Sequence, residues 1–447
     1  MKRTPIIALA CAAVGLLAIG ACGAPGASSA SSSASANLAS PTTKTGTISI
    51  ITKFADPRYA PYFVNVAKAY EKANPGVKVD LQQVGDQPYK DKIRVLASSK
   101  QLPDIYFSWA GDFTNKFVRA GLAADLTSVI GPDTEWGKTM SPAALKTFQY
   151  DGKYYGVPID LDAKFMAYNT AAFAKAGLSG APASFEDLLS DCAKLKNADY
   201  TPIAFGNQYG WPAIHYITQL NAYNVAPDTL SKDYTPATGE FTDPGYVKAL
   251  TQFQQLAHTC TTKGANGLSH ESAQATFING KSAMHYLESV EFSVLTKQGG
   301  APASTANSWS FFQLPAPSGA AGDAKALTGA PDGFLVNPQS KNAALAVDFL
   351  KFMTNQQNAQ QLVKQIGWLS PVQGSATESN TFPQLRQALD KINGASQFAV
   401  WLDTVTNADV ANAYLSGAEG LVDGSQTPEQ VMKAVQATAK KIRNSAG

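Results

Sequence analysis

Strands and helices alternate along this 447-residue chain, and the alternation predicts an α/β fold of two lobes, each an open, mostly parallel sheet flanked by helices. Three observations carry that expectation. The first 80 residues of the folded body read strand, helix, strand, helix, strand, helix. The body from Gly46 onward has roughly 400 residues, more than one hydrophobic core usually serves. Lys153 to Asn169 (KYYGVPIDLDAKFMAYN) holds two strand-like runs separated by Asp160-Leu161-Asp162, which reads as a crossing between lobes.

Taken in order, the chain opens on MKRTPIIALACAAVGLLAIGAC. Lys2 and Arg3 give a positive start, Ile6 to Ile19 an apolar run short for a membrane span, and Ile19-Gly20-Ala21-Cys22 a small-residue cleavage site. Residues 1–22 are therefore expected to be an export signal. Ile19-Gly20-Ala21-Cys22 resembles the bacterial lipobox, which implies that Cys22 is lipidated and becomes the first residue of the mature chain. Residues 23–45, almost all Gly, Ala, Ser, Thr and Pro, cannot bury enough apolar surface to fold and are expected to be a disordered linker.

Without Lys2 and Arg3, the chain's 36 basic residues become 34 against 34 acidic ones. A balanced surface has no net field with which to seek nucleic acid, so none is expected as a partner. Cys11 leaves with the signal, and Cys192 and Cys260 remain in the body. In an oxidising compartment Cys192 and Cys260 are expected to form one disulfide, the alternative being two separate buried thiols.

Within the body, Thr47 to Thr52 (TISIIT) predicts a strand, and Tyr59 to Ala73 a helix that stops at Asn74-Pro75-Gly76. Val77 to Leu81 alternates as a strand, and Tyr89 to Ser99 is an amphipathic helix. Asp104 to Ser108 (DIYFS) is a buried-type strand before a helix over Phe113 to Ala120. Ligands in such sheets sit beyond the carboxyl ends of the strands, so the loops Lys53 to Arg58 and Trp109 to Asp112 are candidate site loops. Later come a helix over Phe185 to Lys196 capped by Ser184, a short strand at Pro202 to Phe205, and a helix from Trp211 to about Asn221. A helix capped by Asp243 ends near Cys260. Ser282 to Leu287 and Ser308 to Leu314 read as strands, and Glu429 to Arg443 as the last helix.

Leu102-Pro103-Asp104, Tyr155-Gly156-Val157-Pro158 with Tyr168-Asn169, and Phe277-Ile278-Asn279-Gly280-Lys281-Ser282-Ala283-Met284 follow one another in order. Gly333-Phe334 and Gly367-Trp368-Leu369-Ser370-Pro371 come after them. In this order the chain resembles the extracellular solute-binding proteins of ABC transporters, in the carbohydrate-binding group that includes maltose-binding protein. The resemblance covers nearly the whole mature chain. It implies two lobes joined by hinge strands, with 46–158 plus 307–353 in the first and 159–306 plus 354–447 in the second. It further implies a mono- or oligosaccharide ligand in the interlobe cleft, transmembrane permease subunits as partners, a monomer, no cofactor and no enzymatic activity. The chain departs from the family pattern at Tyr286 to Val290, where the family often carries an aromatic, so Glu288 or Ser289 becomes a polar candidate.

A saccharide site needs aromatic faces for the C–H-rich side of a sugar ring and planar polar groups for its hydroxyls. The aromatic candidates are Trp109, Trp211, Phe334, Trp368 and Trp401, the last on a run read as helical. Asp112, Asp160, Asp162, Glu288 and Asp332 are the carboxylates that would accept hydroxyl donors, and Asn207 joins them beside Trp211. Trp136 and Trp309 are expected to be structural. The alternative of a surface-anchored glycoside hydrolase would use a pair such as Asp160 with Asp162 or Glu288 with Glu291. His215, His258, His270 and His285 lack paired metal-ligand spacing, and Ala275 stands where a phosphate-binding loop ending in Gly280-Lys281-Ser282 would need glycine.

Overall fold

A computed structural model describes residues 38–446 of the chain; the expected signal at 1–22, Cys22 and linker residues 23–37 lie outside the described residues. Two large sheets organise the body. Their strands in chain order are β1 (Gly46–Thr52), β2 (Val77–Gln83), β3 (Ile105–Trp109), β4 (Gly156–Pro158), β5 (Lys164–Asn169), β6 (Thr201–Ala204), β7 (Ser282–Glu288), β8 (Trp309–Phe312) and β9 (Asp332–Val336). The first sheet has the order β2-β1-β3-β9-β4, the second β8-β5-β7-β6.

In the first sheet Ile48, Ile50 and Ile51 of β1 are all buried, which explains why TISIIT fails to alternate: helices cover both faces. The helix Ala60–Ala73 turns Tyr62, Phe63, Val66 and Tyr70 inward at helical spacing and ends at Asn74, just before Pro75-Gly76. In the second sheet β5 sends Met166 into one apolar cluster and Phe165 and Ala167 into another, so this sheet too is covered on both sides. Ser184 accepts a hydrogen bond from the Asp187 amide at 3.0 Å and starts the helix Phe185–Asn197. The helix Pro244–Cys260 runs beside it, and a disulfide joins Cys192 to Cys260 with their Cα atoms 5.3 Å apart. Of the two cysteine alternatives, the structure holds the bridge.

Three features differ from the sequence expectation. Both sheets are mixed rather than mostly parallel. β1 is parallel to β2 and β3, but β9 runs antiparallel to β3 and β4, and β5 runs antiparallel to β7 and β8. Strands that enter a lobe from the hinge arrive against the direction of those that began there. The lobe boundaries also move. β8 pairs with β5, and Leu314, Ala326 and Leu327 still pack in the second lobe, so the chain returns to the first lobe at about Ala330 and not at 307. The helix Gln356–Ile366 buries Ala359, Leu362 and Ile366 in the first core, so the lobe continues beyond 353 to Val372. Finally, residues 38–45 of the expected linker lie along the first lobe. Leu38, the one large apolar side chain in that stretch, is buried, and Lys44 Nζ sits 2.6 Å from Asp348.

The passages between lobes run side by side. Leu161 bridges to Leu369 and Ala163 to Gly329, so the segment between β4 and β5 is strapped to the two later crossings. Asp160 and Asp162 therefore sit in the hinge. Among the described residues no helix is long and apolar enough to cross a membrane.

Candidate functional site

The parallel strands β1, β2 and β3 end on one side of the first lobe, where the last residue of β3, Trp109, meets Lys53 and Asp86 from the chain just beyond β1 and β2. Asp332 opens β9 in register with Trp109, which brings a carboxylate to the same edge. From the second lobe, Glu288 ends β7, and the helix Trp211–Asn224 contributes Trp211 and, one turn on, His215. The positive φ of 73° at Gly210 lets the chain turn sharply into that helix, and Pro212 fits its first turn. Trp401, Asp403 and Thr404 close the far side. Together with Lys90 and Asp162 these residues enclose a narrow space of about 80 Å³. It opens past Lys53, Trp211 and Asp332 into a space of about 440 Å³ bordered by Arg58, Tyr59, Asp160 and Trp368. The inner part is small, while the outer part has the size of ordinary ligand pockets.

Charge is dense here. Lys53 Nζ lies 3.1 Å from Asp332 Oδ2 and 3.4 Å from Asp86 Oδ1, and 4.9 Å from the centre of the Trp109 ring. Burial alone would lower its pKa, but the two carboxylates outweigh burial and hold it raised. Burial pushes Asp332 up to about 6 even though Lys53 counters it. Burial, then Asp332 and Asp162, raises Asp160 well above the usual carboxylate range, and burial and Glu288 do the same to Asp162. Asp162 nevertheless accepts hydrogen bonds from the Ser289 hydroxyl at 2.8 Å and the Val290 amide at 3.3 Å, and Asp160 accepts one from the Asp332 amide at 2.7 Å. Lys164, 1% exposed, donates to Glu288 at 3.3 Å, facing it across the β5–β7 pair. The His215 ring stacks on Trp401 with centroids 4.3 Å apart and planes 24° off parallel. Burial, with Lys164 nearby, keeps His215 well below its usual range and therefore neutral.

Residues 56–360 match the family model described as bacterial extracellular solute-binding protein. The chain belongs to that family. Among relatives of this solute-binding protein, a binding protein of Brucella abortus (strain 2308) is 28% identical over 232 residues, 50% of this chain and 53% of that one. The chain thus spans about half the length of the curated relatives it matches first. A maltotriose-binding protein of Pyrococcus abyssi is 28% identical over 172 residues, 38% of this chain and 33% of its own. Among solved structures, a chitin oligosaccharide binding protein superposes with a TM-score of 0.81 at 20% identity, covering 90% of this chain and 100% of that one, a likeness of fold. The family is one of binding proteins and not of enzymes, and nothing in these relatives favours the hydrolase alternative.

Of the sequence candidates, this solute-binding protein brings Trp109, Asp162, Trp211, Glu288, Asp332 and Trp401 to the inner cleft, and Asp160 and Trp368 to the outer one. Trp401 does so from an irregular stretch just before the short helix Leu402–Val405, not from within a helix. Trp368, 2% exposed, packs on Phe54 and Tyr59 and is mainly core. Three candidates fall away. Asp112 is held by Arg119 at 2.6 Å and borders a separate groove with Asn115 and Tyr150. Asn207 is fully buried, accepting from the Ala213 amide at 3.1 Å and donating to Asn266 at 2.8 Å, so it braces the loop that carries Trp211. Phe334 lies inside the first core against Phe107: it shares a face of β9 with Asp332 but sits two residues further into the sheet, away from the strand end that borders the cleft. Trp136 and Trp309 are buried outside the cleft. Sequence reasoning missed Asp86, Lys90, His215, Asp403 and Thr404. The strand-end rule reaches Asp86, and helical spacing from Trp211 reaches His215; nothing local marks Asp403.

Proposed function

We propose that this solute-binding protein captures a saccharide between its lobes and hands it to the membrane permease of an ABC transporter. The observation that carries the reading is that Trp109, Trp211 and Trp401 border one cleft together with five carboxylates. Aromatic faces for C–H surfaces and planar acceptors for hydroxyls are what sugar recognition requires. The names of relatives that bind maltotriose and chitin oligosaccharide point the same way. A thermal-shift screen of the folded protein against mono- and oligosaccharides, followed by product analysis of the best hit, tests it. A saturable shift with the sugar recovered intact is expected; no shift with any saccharide contradicts the reading.

In this reading the hinge lets the lobes close over the sugar, since a ligand that contacts both lobes favours the closed form. The protein acts as a monomer held at the outer face of the cell membrane by lipid on Cys22. Cys22→Ala is expected to release it or leave it unprocessed. Normal processing with the mature protein still in the membrane fraction contradicts the anchor.

A further inference from the structure

The inner cleft is acidic, and of its two lysines Lys53 is ion-paired while Lys90 Nζ lies 5.2 Å from the centre of the Trp109 ring. Five carboxylates, Asp86, Asp162, Glu288, Asp332 and Asp403, border it against two lysines. Lys53 is shared by Asp332 and Asp86, and Glu288 takes Lys164. The Ser289 hydroxyl and the Val290 amide serve Asp162. Asp403 differs: its Oδ1 is buried and has no hydrogen-bond partner. A second orphan lines the same space. The His215 side chain is 7% exposed, and its Nδ1 has no hydrogen bond, although Glu288 Oε1 stands 3.5 Å away. A buried carboxylate oxygen and a buried ring nitrogen left without partners cost free energy until something occupies the space between them.

A hydroxyl satisfies one such acceptor and leaves the excess negative charge in place. An ammonium has three donors and a full positive charge, and aromatic faces attract it as well. We propose, resting on the saccharide reading above, that the solute is a saccharide bearing an ammonium group, with Asp403 and His215 as its acceptors beside Trp401. The neutral state of His215, enforced by burial, leaves Nδ1 a lone pair to offer when Nε2 carries the ring proton. Burial, with neighbouring carboxylates, holds Asp160 and Asp162 above their usual range, which fits a site where carboxylates outnumber cations.

The test is calorimetry of the full chain with matched sugars that differ in one group. Cello-oligosaccharides, the equally long chitosan oligosaccharides and the chitin oligosaccharides compare hydroxyl, ammonium and acetamido at the same carbon. Glucose against its 3-amino and 6-amino derivatives moves the ammonium round the ring. At least one amine is expected to bind about tenfold more tightly than its hydroxyl parent, with the advantage shrinking in high salt. Asp403→Asn should cut that preference about tenfold. Amines and parents that bind alike, or parents that bind better, overturn the ammonium proposal and leave the saccharide reading standing. Failure of every saccharide to bind the folded protein overturns both. Should Asp403→Asn fail to fold, the wild-type pairs alone decide.

Discussion

Gly111 meets the backbone of Val405 so closely that a β-carbon on Gly111 would lie 2.8 Å from Val405 Cα, and 2.9 Å from the Thr404 carbonyl oxygen. Gly111 follows β3 of the first lobe, whereas Leu402, on the same short helix as Val405, belongs to the core of the second. Only glycine permits this approach, and its φ of 89° is itself one that L side chains avoid. Gly111→Ala is therefore expected to hold the lobes apart and to weaken solute affinity by about tenfold or more, because the closed form is disfavoured. Backbone strain adds a stability loss of about 1 to 3 kcal/mol. Calorimetry and small-angle scattering with solute check this; unchanged affinity and full compaction in the variant would place the closing contact elsewhere.

Trp211 and Trp368 both border the cleft, but they sit in different surroundings. Trp211 is partly exposed and rests on His215 and His270 with ring centroids 5.0 and 4.8 Å away. Trp211→Ala is expected to lose about 1 to 3 kcal/mol of binding with little change in stability. Trp368→Ala, in contrast, should cost about 3 to 5 kcal/mol of stability. Measuring Kd and Tm on both variants separates the roles, and the reverse pattern would exchange them.

The disulfide closes a sequence separation of 68 residues between two fully buried sulfurs. In the chain-entropy picture such a loop is worth about 4 kcal/mol. Cys192→Ala with Cys260→Ala is expected to lower the urea midpoint by an amount matching about 2 to 4 kcal/mol. Coincident denaturation curves would show that the bridge adds nothing to stability.

His285 gives a pH dependence whose sign is fixed. It donates Nδ1–H to the Ala204 carbonyl at 2.9 Å, while its Nε2 is buried without a partner. Burial, and then the charge of His270, pushes its pKa down from 6.5 to about 3. Below 6.5 the unfolded chain takes a proton that the folded one refuses, so stability falls with falling pH by up to about 1.4 kcal/mol per unit. His285→Gln keeps an N–H donor and cannot take that proton. Its Tm should decline less steeply than the wild type's between about pH 6.5 and about pH 4. Parallel declines would show that His285 does not govern this window.

Much of the architecture was legible because periodicity and caps are local. Ser184 and Asp243 mark helix starts, and Asn74-Pro75-Gly76 marks a stop. Lobe membership was less legible, because the strand at Trp309 reads the same in either sheet and only its pairing with β5 decides. Site candidates beside strand ends, Trp109 and Asp332, came through, since topology sends those ends to the cleft. Asn207 and Asp112 misled because loop polarity does not reveal whether a side chain faces ligand or braces the chain. Asp403 gave no sign at all: it reaches the cleft from a segment separated from β3 by nearly 300 residues.

The central claim is that a sugar ring lies between the lobes against tryptophan faces. A crystal structure of the protein with the best saccharide from the binding screen tests it most directly. One saccharide is expected in the cleft bordered by Trp109, Trp211 and Trp401, with a ring face on Trp211 and its polar groups reaching Asp332, Glu288 or Asp403. A saccharide bound outside that cleft, with the three tryptophans untouched, would contradict it.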